Sequence, residues 1–418
     1  MKDEVNSQTE ETASHESASF SLESISQSGP GDQSHVLNTS AGRPTNAEID
    51  LDNLVHNFRI VKGLAGPGCA VMPAIKANAY GHGAVDCARA LEREGADWFG
   101  VALPEEGVEL REAGITRPVL CLGGFWEGQE DSLIRYDLTP AIFRLDLLER
   151  LDRAAQSAGR IIDYHLKVDT GMGRLGVPVR ELGEFLDQTL RFRNARLDGV
   201  MSHFASADDP ARDDFTRQQI SQFESAVEQT RARGYSPSWI HQANSAACIS
   251  YPTARGNLVR AGGLIYGLWR DVTSPLAHRH HWRPVMSLRT RIAYLKRVAA
   301  NSPLGYGGTF VTHRESLIAT LPIGYEDGLR RALSNRGRVL VRGQSASIVG
   351  RISMDLTLID VTDIPDAATG DEVVIIGSQG RESITAEEIA ALAGTISYEV
   401  TCAVSPRVPR KIVESAPS

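Results

Sequence analysis

Residues 71–102 read VMPAIKANAYGHGAVDCARALEREGADWFGVA, and this stretch decides the fold class. It opens with an apolar run at 71–76, continues with a helix-periodic segment at 84–94 and closes with a second apolar run at 98–102. Short apolar runs joined by an amphipathic helix are typical of parallel strands with a helical crossover. The stretch therefore predicts one strand–helix–strand unit.

The same unit recurs along the chain. Apolar runs that predict strands lie at 71–76, 98–102, 119–123, 138–143, 163–168, 197–204, 238–243 and 258–266. Helix-periodic segments lie between them, for example at 84–94, 105–113, 145–157, 181–191 and 213–233. Eight strands with helical crossovers are what a parallel (β/α)8 barrel of the TIM type requires. A doubly wound open sheet is the alternative, and the count of eight favours the barrel.

The pattern changes at both ends of this region. Residues 1–43 are rich in Ser, Glu, Gln, Gly and Asn and poor in apolar residues, so they predict a disordered N-terminal extension. After residue 283, apolar and alternating runs separated by Gly, Pro and Asp predict a mostly β domain, with one convincing helix at 384–393. We therefore predict a barrel domain at 44–283, a β domain at 284–411 and a tail at 412–418.

Composition and charge exclude several classes of protein. The net charge is −8, but residues 1–40 hold seven acidic residues against one lysine, so the remainder is nearly neutral and lacks the basic stripe of a nucleic-acid-binding protein. No apolar run reaches the ~18 residues that a membrane helix needs, and the N-terminus lacks a secretory signal pattern. The five cysteines are odd in number and show no C-x-x-C spacing, so we expect reduced thiols in a cytoplasmic protein.

Polar residues lie at the end of several predicted strands or just after them, where such barrels carry their active sites, and Arg260 lies within the last predicted strand. In strand order they are Lys76, Arg174, His203, Asn244 with Ser245, and Arg260 followed by Gly262 and Gly263. A buried lysine near other cations has a lowered pKa, which makes a neutral amine available for a Schiff base. The loops after the seventh and eighth strands often form a phosphate site in this architecture. A lysine amine beside a phosphate site predicts pyridoxal phosphate.

Each of these residues also has an ordinary structural reading. Lys76 could extend from a strand end to solvent, His203 could be a core histidine, and the two arginines could be ion-pair partners. The histidine-containing run HRHHW at 278–282 has no acidic or cysteine partner nearby, so we expect a solvated interdomain loop there and no metal site.

Eight segments, in order along the chain, resemble the alanine racemase family. They are 48–58 (EIDLDNLVHNF), 71–84 (VMPAIKANAYGHGA), 166–176 (LKVDTGMGRLG), 201–208 (MSHFASAD), 241–247 (HQANSAA), 304–309 (LGYGGT), 322–328 (PIGYEDG) and 350–355 (GRISMD). The second segment resembles the family's pyridoxal lysine motif. The family's fold, an N-terminal barrel followed by a C-terminal β domain, agrees with the pattern along the chain.

The resemblance implies roles for the central residues. Lys76 would bind pyridoxal 5'-phosphate through a Schiff base and act as one catalytic base. Tyr306 would be the base on the opposite face, delivered by the partner subunit of a homodimer. Arg260 would face the pyridine nitrogen, and His203 would link it towards Tyr306. A permanently protonated arginine would leave that nitrogen unprotonated, which would favour racemisation over transamination.

The resemblance also implies the residues that bind the rest of the ligand. The phosphate ligands would be Tyr80, Ser245, Gly262, Gly263 and Tyr398, with Asn244 in the same loop. Arg174 and the backbone of Met354 would hold the substrate carboxylate, and Asp355 and Tyr325 would line the entrance. Lys167 matches a lysine that is carbamylated in some members, where the added negative charge would position Arg174.

The implied activity is the interconversion of L-alanine and D-alanine, which supplies peptidoglycan precursors in a bacterial cytoplasm without nucleic-acid or membrane partners. The sequence departs from the family at Gly305 and Gly308, where Ser and Arg are usual, and at Gly263, where a larger aliphatic residue is usual. Ser353 is a further departure from the family pattern. These departures leave open a racemase with serine or broader specificity.

Two other functions are disfavoured. A decarboxylase of the same architecture would place a carboxylate, not Arg260, against the pyridine nitrogen. A non-enzymatic pyridoxal phosphate carrier would lack the predicted β domain and would not need Tyr306.

Overall fold

The computed structural model describes residues 42–272 and 276–413, and the described residues from Arg43 onward form one compact unit. The predicted disordered extension lies outside the described residues except for its last two positions, and most of the predicted tail lies outside them as well. The last residue of the predicted extension, Arg43, donates two hydrogen bonds to the buried carboxylate of Asp327, at 2.8 and 2.6 Å.

Strands and helices alternate through the first two thirds of the chain. The strands are β1 (Asn46–Asp50), β2 (Ala70–Pro73), β3 (Phe99–Val101), β4 (Val119–Cys121), β5 (Leu138–Ile142), β6 (Ile162–Asp169), β7 (Val177–Pro178), β8 (Ala195–Met201), β9 (Trp239–His241) and β10 (Leu258–Ala261). The helices are α1 (Leu51–Ala65), α2 (Lys76–Tyr80), α3 (Ala84–Arg93), α4 (Pro104–Glu112), α5 (Glu130–Arg135), α6 (Leu145–Ser157), α7 (Leu182–Thr189), α8 (Asp213–Ala232) and α9 (Ser245–Ser250).

Parallel strands close into a barrel, as predicted. The ladder runs β3-β4-β5-β6-β8-β9, and β10 pairs in parallel with β2. Among the contacts that join these groups are an isolated parallel bridge between Ala74 and Gly100 and a hydrogen bond from the Arg260 backbone N–H to the Ala243 carbonyl at 3.0 Å. β3 and β4 are buried at every residue, which explains why they read as short continuous apolar runs.

The barrel helices follow their apolar periodicity. In α6 the buried residues are Leu147, Leu148, Leu151 and Ala155, which lie on one face of the helix at spacings of one, four and eight residues. This face packs inward, and its charged residues face outward. The helix occupies the predicted span of 145–157.

The remainder of the chain is mostly β, as predicted. Its strands are β11 (Met286–Arg291), β12 (Tyr294–Val298), β13 (Pro303–Leu304), β14 (Phe310–Val311), β15 (Ser316–Leu321), β16 (Arg338–Val341), β17 (Gln344–Ile348), β18 (Thr357–Asp360), β19 (Glu372–Gln379), β20 (Glu382–Ile384) and β21 (Arg410–Val413). Its helices are α10 (Ala386–Ala393) and α11 (Ser397–Cys402). The main sheet has the order β12-β15-β18-β17-β16-β19-β11-β1-β21, and β20 pairs with β19.

The first strand of the described residues belongs to this second sheet. β1 pairs antiparallel with β11, from Asn46 opposite Arg289 to Ile49 opposite Met286, and in parallel with β21. Residues at the start of the predicted barrel domain therefore complete the sheet of the predicted β domain.

Most of the predicted strands run past the carboxyl ends of the observed ones, and two of them show why. The run at 71–76 leaves the strand after Pro73, because the chain turns sharply at Lys76. The run at 258–266 leaves the strand after Ala261 and forms a short 3-10 turn at Gly263–Tyr266. In both places the strand ends so that the chain can line the mouth of the barrel.

The five cysteines are unpaired. Across 42–272 and 276–413, no helix has the length and apolar character needed to cross a membrane.

Candidate active site

A cavity of about 850 Å³ lies at the carboxyl ends of the barrel strands. It brings together most of the residues predicted from the sequence. Those that line it are Lys76, Tyr80, Lys167, Arg174, His203, Asn244, Ser245, Arg260, Gly262, Gly263 and Tyr398. All but Tyr398 come from the barrel, and Tyr398 comes from α11.

Lys76 stands at the point where the chain leaves β2. The four residues after it, Ala77 to Tyr80, have φ of 52°, 53°, 55° and 55°, so α2 is a left-handed turn rather than an ordinary helix. Burial lowers the pKa of the Lys76 amine, Arg174 and Arg260 lower it further, and Glu106 opposes them. A lowered pKa makes the neutral, nucleophilic amine more accessible.

Arg260 is a buried guanidinium with neutral partners. It donates to the carbonyls of Ser202 at 2.6 Å, Gln242 at 3.0 Å and His241 at 3.1 Å. It also contacts the Nδ1 atoms of His241 at 2.8 Å and His203 at 3.0 Å. Burial lowers its pKa to about 9, which leaves it charged near neutral pH. This uncompensated charge favours an anionic or electron-rich ligand in the cavity.

A line of imidazoles continues from Arg260 into the barrel. Because a guanidinium only donates, His241 Nδ1 accepts, and His241 Nε2 must carry the hydrogen that it donates to His165 Nδ1 at 2.8 Å. Burial, reinforced by Arg260, lowers the pKa of His165 to about 3, so its ring is neutral. A Cβ at Gly199 would lie 2.6 Å from that ring, which explains the glycine there.

Two glycines form a close-fitting wall of the cavity. A Cβ at Gly262 would lie 2.7 Å from the Tyr80 hydroxyl, and a Cβ at Gly263 would lie 2.3 Å from the Tyr398 ring. The Gly262 N–H donates to Ser245 Oγ at 2.8 Å, so the Ser245 hydroxyl hydrogen remains available to a ligand. Hydroxyl and backbone donors of this kind suit a phosphate group.

Asn244 and Lys167 also line the cavity, and each makes a hydrogen bond within the chain. Asn244 Oδ1 accepts from the Ala247 N–H at 3.0 Å and caps α9, so its side chain serves the helix. Lys167 donates to the Leu122 carbonyl at 3.2 Å. Burial, followed by Arg260, Arg174 and Lys76, lowers the pKa of Lys167 to about 8.

The other predicted residues do not line this cavity. Tyr306 lies on the short turn between β13 and β14 and is 72% exposed. Met354 and Tyr325 are also exposed, and they lie on adjacent turns because Glu326 N–H donates to the Met354 carbonyl at 3.1 Å. Asp355 forms an ion pair with Arg407 at 2.8 Å.

The sequence analysis missed several residues of the site. Glu106, Asp208, Asp271 and Cys402 line the cavity, and His241 and His165 support Arg260. For His165 a signal was present, since it precedes Lys167 by two residues on β6 and strand residues two apart face the same side. Glu106 follows β3 at the active end of the barrel, so its position along the chain was also informative.

The histidine-containing run at 278–282 packs against aromatic rings. His278 contacts Trp269 at 4.9 Å and His280 contacts Trp282 at 5.7 Å between ring centroids. Within the described ranges, no group of three or more His, Cys, Asp or Glu side chains has the arrangement of a metal site.

Comparison with known proteins places the chain in a family. The family model described as "Alanine racemase, N-terminal domain" matches residues 49–269, and "Alanine racemase, C-terminal domain" matches residues 285–412. An alanine racemase of Geobacter sp. (strain M21) is 44% identical over 375 residues, covering 88% of this chain and 98% of the relative. One of Syntrophobacter fumaroxidans is 46% identical over 360 residues, covering 85% and 94%.

Solved structures agree with these matches. The alanine racemase from D-cycloserine-producing Streptomyces lavendulae has a TM-score of 0.84 and 36% identity, covering 90% of this chain and 99% of that one. The alanine racemase from Bartonella henselae with covalently bound pyridoxal phosphate has a TM-score of 0.80 and 28% identity, covering 89% and 100%. The chain therefore belongs to the alanine racemase family.

Proposed function

We propose that this chain catalyses the racemisation of alanine, from L-alanine to D-alanine and back, with pyridoxal 5'-phosphate as its cofactor. The observation that carries the proposal is the cavity itself, where the amine of Lys76, the buried charge of Arg260 and the Gly262–Gly263 wall meet. Curated relatives of about this length carry the same activity in their names, and one solved relative holds the cofactor covalently.

The residues present fit this cofactor. The wall at Gly262 and Gly263 has no room for side chains, and the hydroxyls of Tyr80, Ser245 and Tyr398 stand around it as donors for the phosphate. Burial raises the pKa of Tyr80 and of Tyr398 above the usual value for tyrosine, so both hydroxyls keep their hydrogens near neutral pH. Lys76 would hold the aldehyde end, and Arg260 would face the ring nitrogen.

Bound pyridoxal phosphate supplies an electron sink that makes the α-hydrogen of the amino acid acidic. The protein must remove that hydrogen from one face and return one to the other. Lys76 takes or gives the proton on its own face of the α-carbon. Arg260, charged near neutral pH, would face the ring nitrogen and keep it unprotonated, which would limit side reactions.

The opposite face requires a second base, and Tyr306 is our candidate. Its exposure within one chain, away from the cavity, is what a residue donated to a neighbouring subunit would have. The functional unit is therefore a homodimer, in which Tyr306 of each chain completes the site of the other. Met354, Asp355 and Tyr325 would approach the partner's cavity by the same route.

Arg174, exposed at the mouth of the cavity, would bind the substrate carboxylate together with the Met354 backbone. Lys167 would be carbamylated. Its low pKa supports this reaction because carbon dioxide adds only to the neutral amine. Without the carbamate, Lys167 and its neighbours Arg260, Arg174 and Lys76 are four cationic side chains around one cavity. The carbamate would replace the charge of Lys167 by a negative one.

The product would supply peptidoglycan precursors in the cytoplasm of a bacterium. The domain limits that we assign are 44–283 for the barrel and 284–411 for the β domain, with an N-terminal extension at 1–43 and a tail at 412–418. The two family matches, at 49–269 and 285–412, support this division.

The test is chiral chromatography after incubating the purified protein and pyridoxal phosphate with separate L-amino acids. Fast formation of D-alanine with little D-serine is expected. Lys76→Ala should lose both D-alanine formation and the absorbance of the lysine-linked cofactor, and survival of that absorbance would show that Lys76 is not the anchor. Mixing Lys76→Ala with Tyr306→Phe subunits should restore part of the activity, and no recovery after proven subunit exchange would refute the shared site.

A racemase with serine or broader specificity is the second candidate. Gly263 favours it, because the larger aliphatic side chain usual in the family is missing there and the Tyr398 ring lies against the backbone instead, which changes the shape of the cavity wall. Differences of a hydroxyl or a methylene change the discrimination by only about 1–3 kcal/mol. Comparable rates of D-serine and D-alanine formation would identify this activity.

A further inference from the structure

The chain adopts an unfavourable conformation immediately after Lys76. Ala77 to Tyr80 all have positive φ, in the left-handed region that residues with a Cβ rarely occupy. Such a conformation persists only where surrounding contacts hold it. Ala77, the residue next to Lys76, therefore needs a contact that holds its backbone in place.

Glu106 makes that contact. Its Oε1 accepts a hydrogen bond from the Ala77 N–H at 2.6 Å, and Ala77 carries the first amide after Lys76. Its Oε2 accepts from the N–H groups of Ala102 at 2.7 Å and Leu103 at 3.2 Å. One carboxylate therefore ties the turn after β2 to the segment after β3.

Other contacts act farther along the turn. Asn78 Oδ1 accepts from the Ala84 N–H at 2.7 Å, and Arg410 donates to the Gly81 carbonyl at 2.9 Å. Both lie beyond Ala77 and hold the end of the turn. Backbone bonds from the Ala79 N–H to the Ile75 carbonyl at 2.7 Å and from the Gly81 N–H to the Ala77 carbonyl at 3.0 Å close the turn itself, and Glu106 holds its first amide.

Helix capping does not explain all three hydrogen bonds that Glu106 accepts. Glu106 lies in the first turn of α4, and its bond to the Leu103 N–H is the usual return contact of such a glutamate. Capping does not require the bond to Ala77, which lies 29 residues earlier in the chain. Glu106 also lines the cavity beside Lys76.

We propose that Glu106 is a positioning residue, whose carboxylate holds the backbone of the left-handed turn and thereby aims the Lys76 amine into the cavity. This rests on the proposed role of Lys76. Glu106 itself exchanges no proton with substrate. Its charge has a second effect, because it raises the pKa of Lys76 against the lowering by burial and Arg174.

The test compares three variants of the holoenzyme. Glu106→Gln keeps the size but has only one acceptor oxygen, so one side of the bridge is lost together with the charge. Glu106→Asp keeps the charge but draws the carboxylate back by one methylene. Glu105→Gln is the matched control, since Glu105 is the exposed neighbour in the same helical turn and accepts from Gln129 at 2.6 Å.

We expect Glu106→Gln to lower kcat by roughly 10- to 100-fold, the range for a reacting group held slightly out of place, with the KM for L-alanine within about threefold. The visible circular dichroism of bound pyridoxal phosphate should change, because that signal depends on how the lysine holds the cofactor. The acid limb of the kcat profile should move to lower pH. Glu106→Asp should lose kcat without that shift, and Glu105→Gln should match the native enzyme.

The proposal is overturned if Glu106→Gln matches Glu105→Gln in kcat and circular dichroism. This holds even if the thermal stability of Glu106→Gln falls, because Glu106 would then act only as a helix cap. Should Glu106→Gln not fold, Glu106→Asp decides, and native kcat and circular dichroism in that variant overturn the proposal. Lys76→Ala separates the two proposals. If it remains active, the role of Lys76 is wrong and this inference falls with it. If it is inactive while Glu106→Gln behaves like the control, only the role of Glu106 fails.

Discussion

Lys167 makes a measurable prediction about stability and pH. Burial, with Arg260, Arg174 and Lys76, lowers its pKa in the folded protein from 10.5 to about 8. Between these values the unfolded chain binds one proton more than the folded protein, so this residue makes stability rise with pH. Below about pH 8 the free-energy cost of burying the charged Lys167 amine is constant, and above about pH 10.5 that cost is gone. The full difference is about 3 kcal/mol, at 1.36 kcal/mol per pKa unit.

Lys167→Met removes this titration. We consider carbon-dioxide-free buffer without added cofactor. Between pH 7.5 and pH 10, the free energy of unfolding measured in urea should increase by about 2–3 kcal/mol more for the native protein than for the variant. Lys296→Met, at an exposed position of β12, is the matched control and should keep the native pH dependence. Adding bicarbonate should flatten the native curve, because a carbamylated amine cannot take up the proton. Parallel curves for native protein and Lys167→Met without bicarbonate would refute the buried-amine reasoning.

Two further predictions concern packing and an ion pair. Gly263→Val should weaken pyridoxal phosphate binding at least about tenfold in an absorbance titration, because its Cβ would stand 2.3 Å from the Tyr398 ring; Gly63→Val, where a Cβ meets nothing within 4 Å, is the control, and equal affinities would contradict the clash. Arg43→Ala should lower the free energy of urea unfolding by roughly 1–3 kcal/mol, because it removes two short hydrogen bonds to the buried Asp327 carboxylate and leaves the longer ion pair with Arg407 at 3.4 Å; a loss below about 0.5 kcal/mol would show that the Arg43 pair contributes little.

The barrel was predictable because its signals are local. Apolar runs and amphipathic periodicity are written in neighbouring residues, and α6 was predicted to its ends. The strand ends were not predictable in this way. The chain leaves β2 after Pro73 and β10 after Ala261 for turns held by distant groups, such as the bonds from Ala77 to Glu106 and from Gly262 to Ser245.

The site shows the same division. Lys76 and Arg260 could be predicted because they stand at strand ends, where this architecture collects chemistry. Glu106 and His241 act through other residues. The position of Glu106 after β3 was informative, but the bonds that the two side chains make appear only once distances are known. The prediction for Tyr306 rests on the family resemblance alone, since one chain does not bring it to the cavity.

The pairing of β1 with β11 and β21 affects how the protein is made. On the ribosome, Asn46–Asp50 emerges well before its partners at Met286–Arg291 and Arg410–Val413. At about 5–20 residues per second, the strand waits on the order of ten seconds or more for the first of them. Its backbone donors and acceptors stay exposed meanwhile, as at any unpaired strand edge. The sheet therefore cannot be completed before these partners emerge, and a nascent chain halted before residue 286 would carry a strand open to mispairing or to capture by a chaperone.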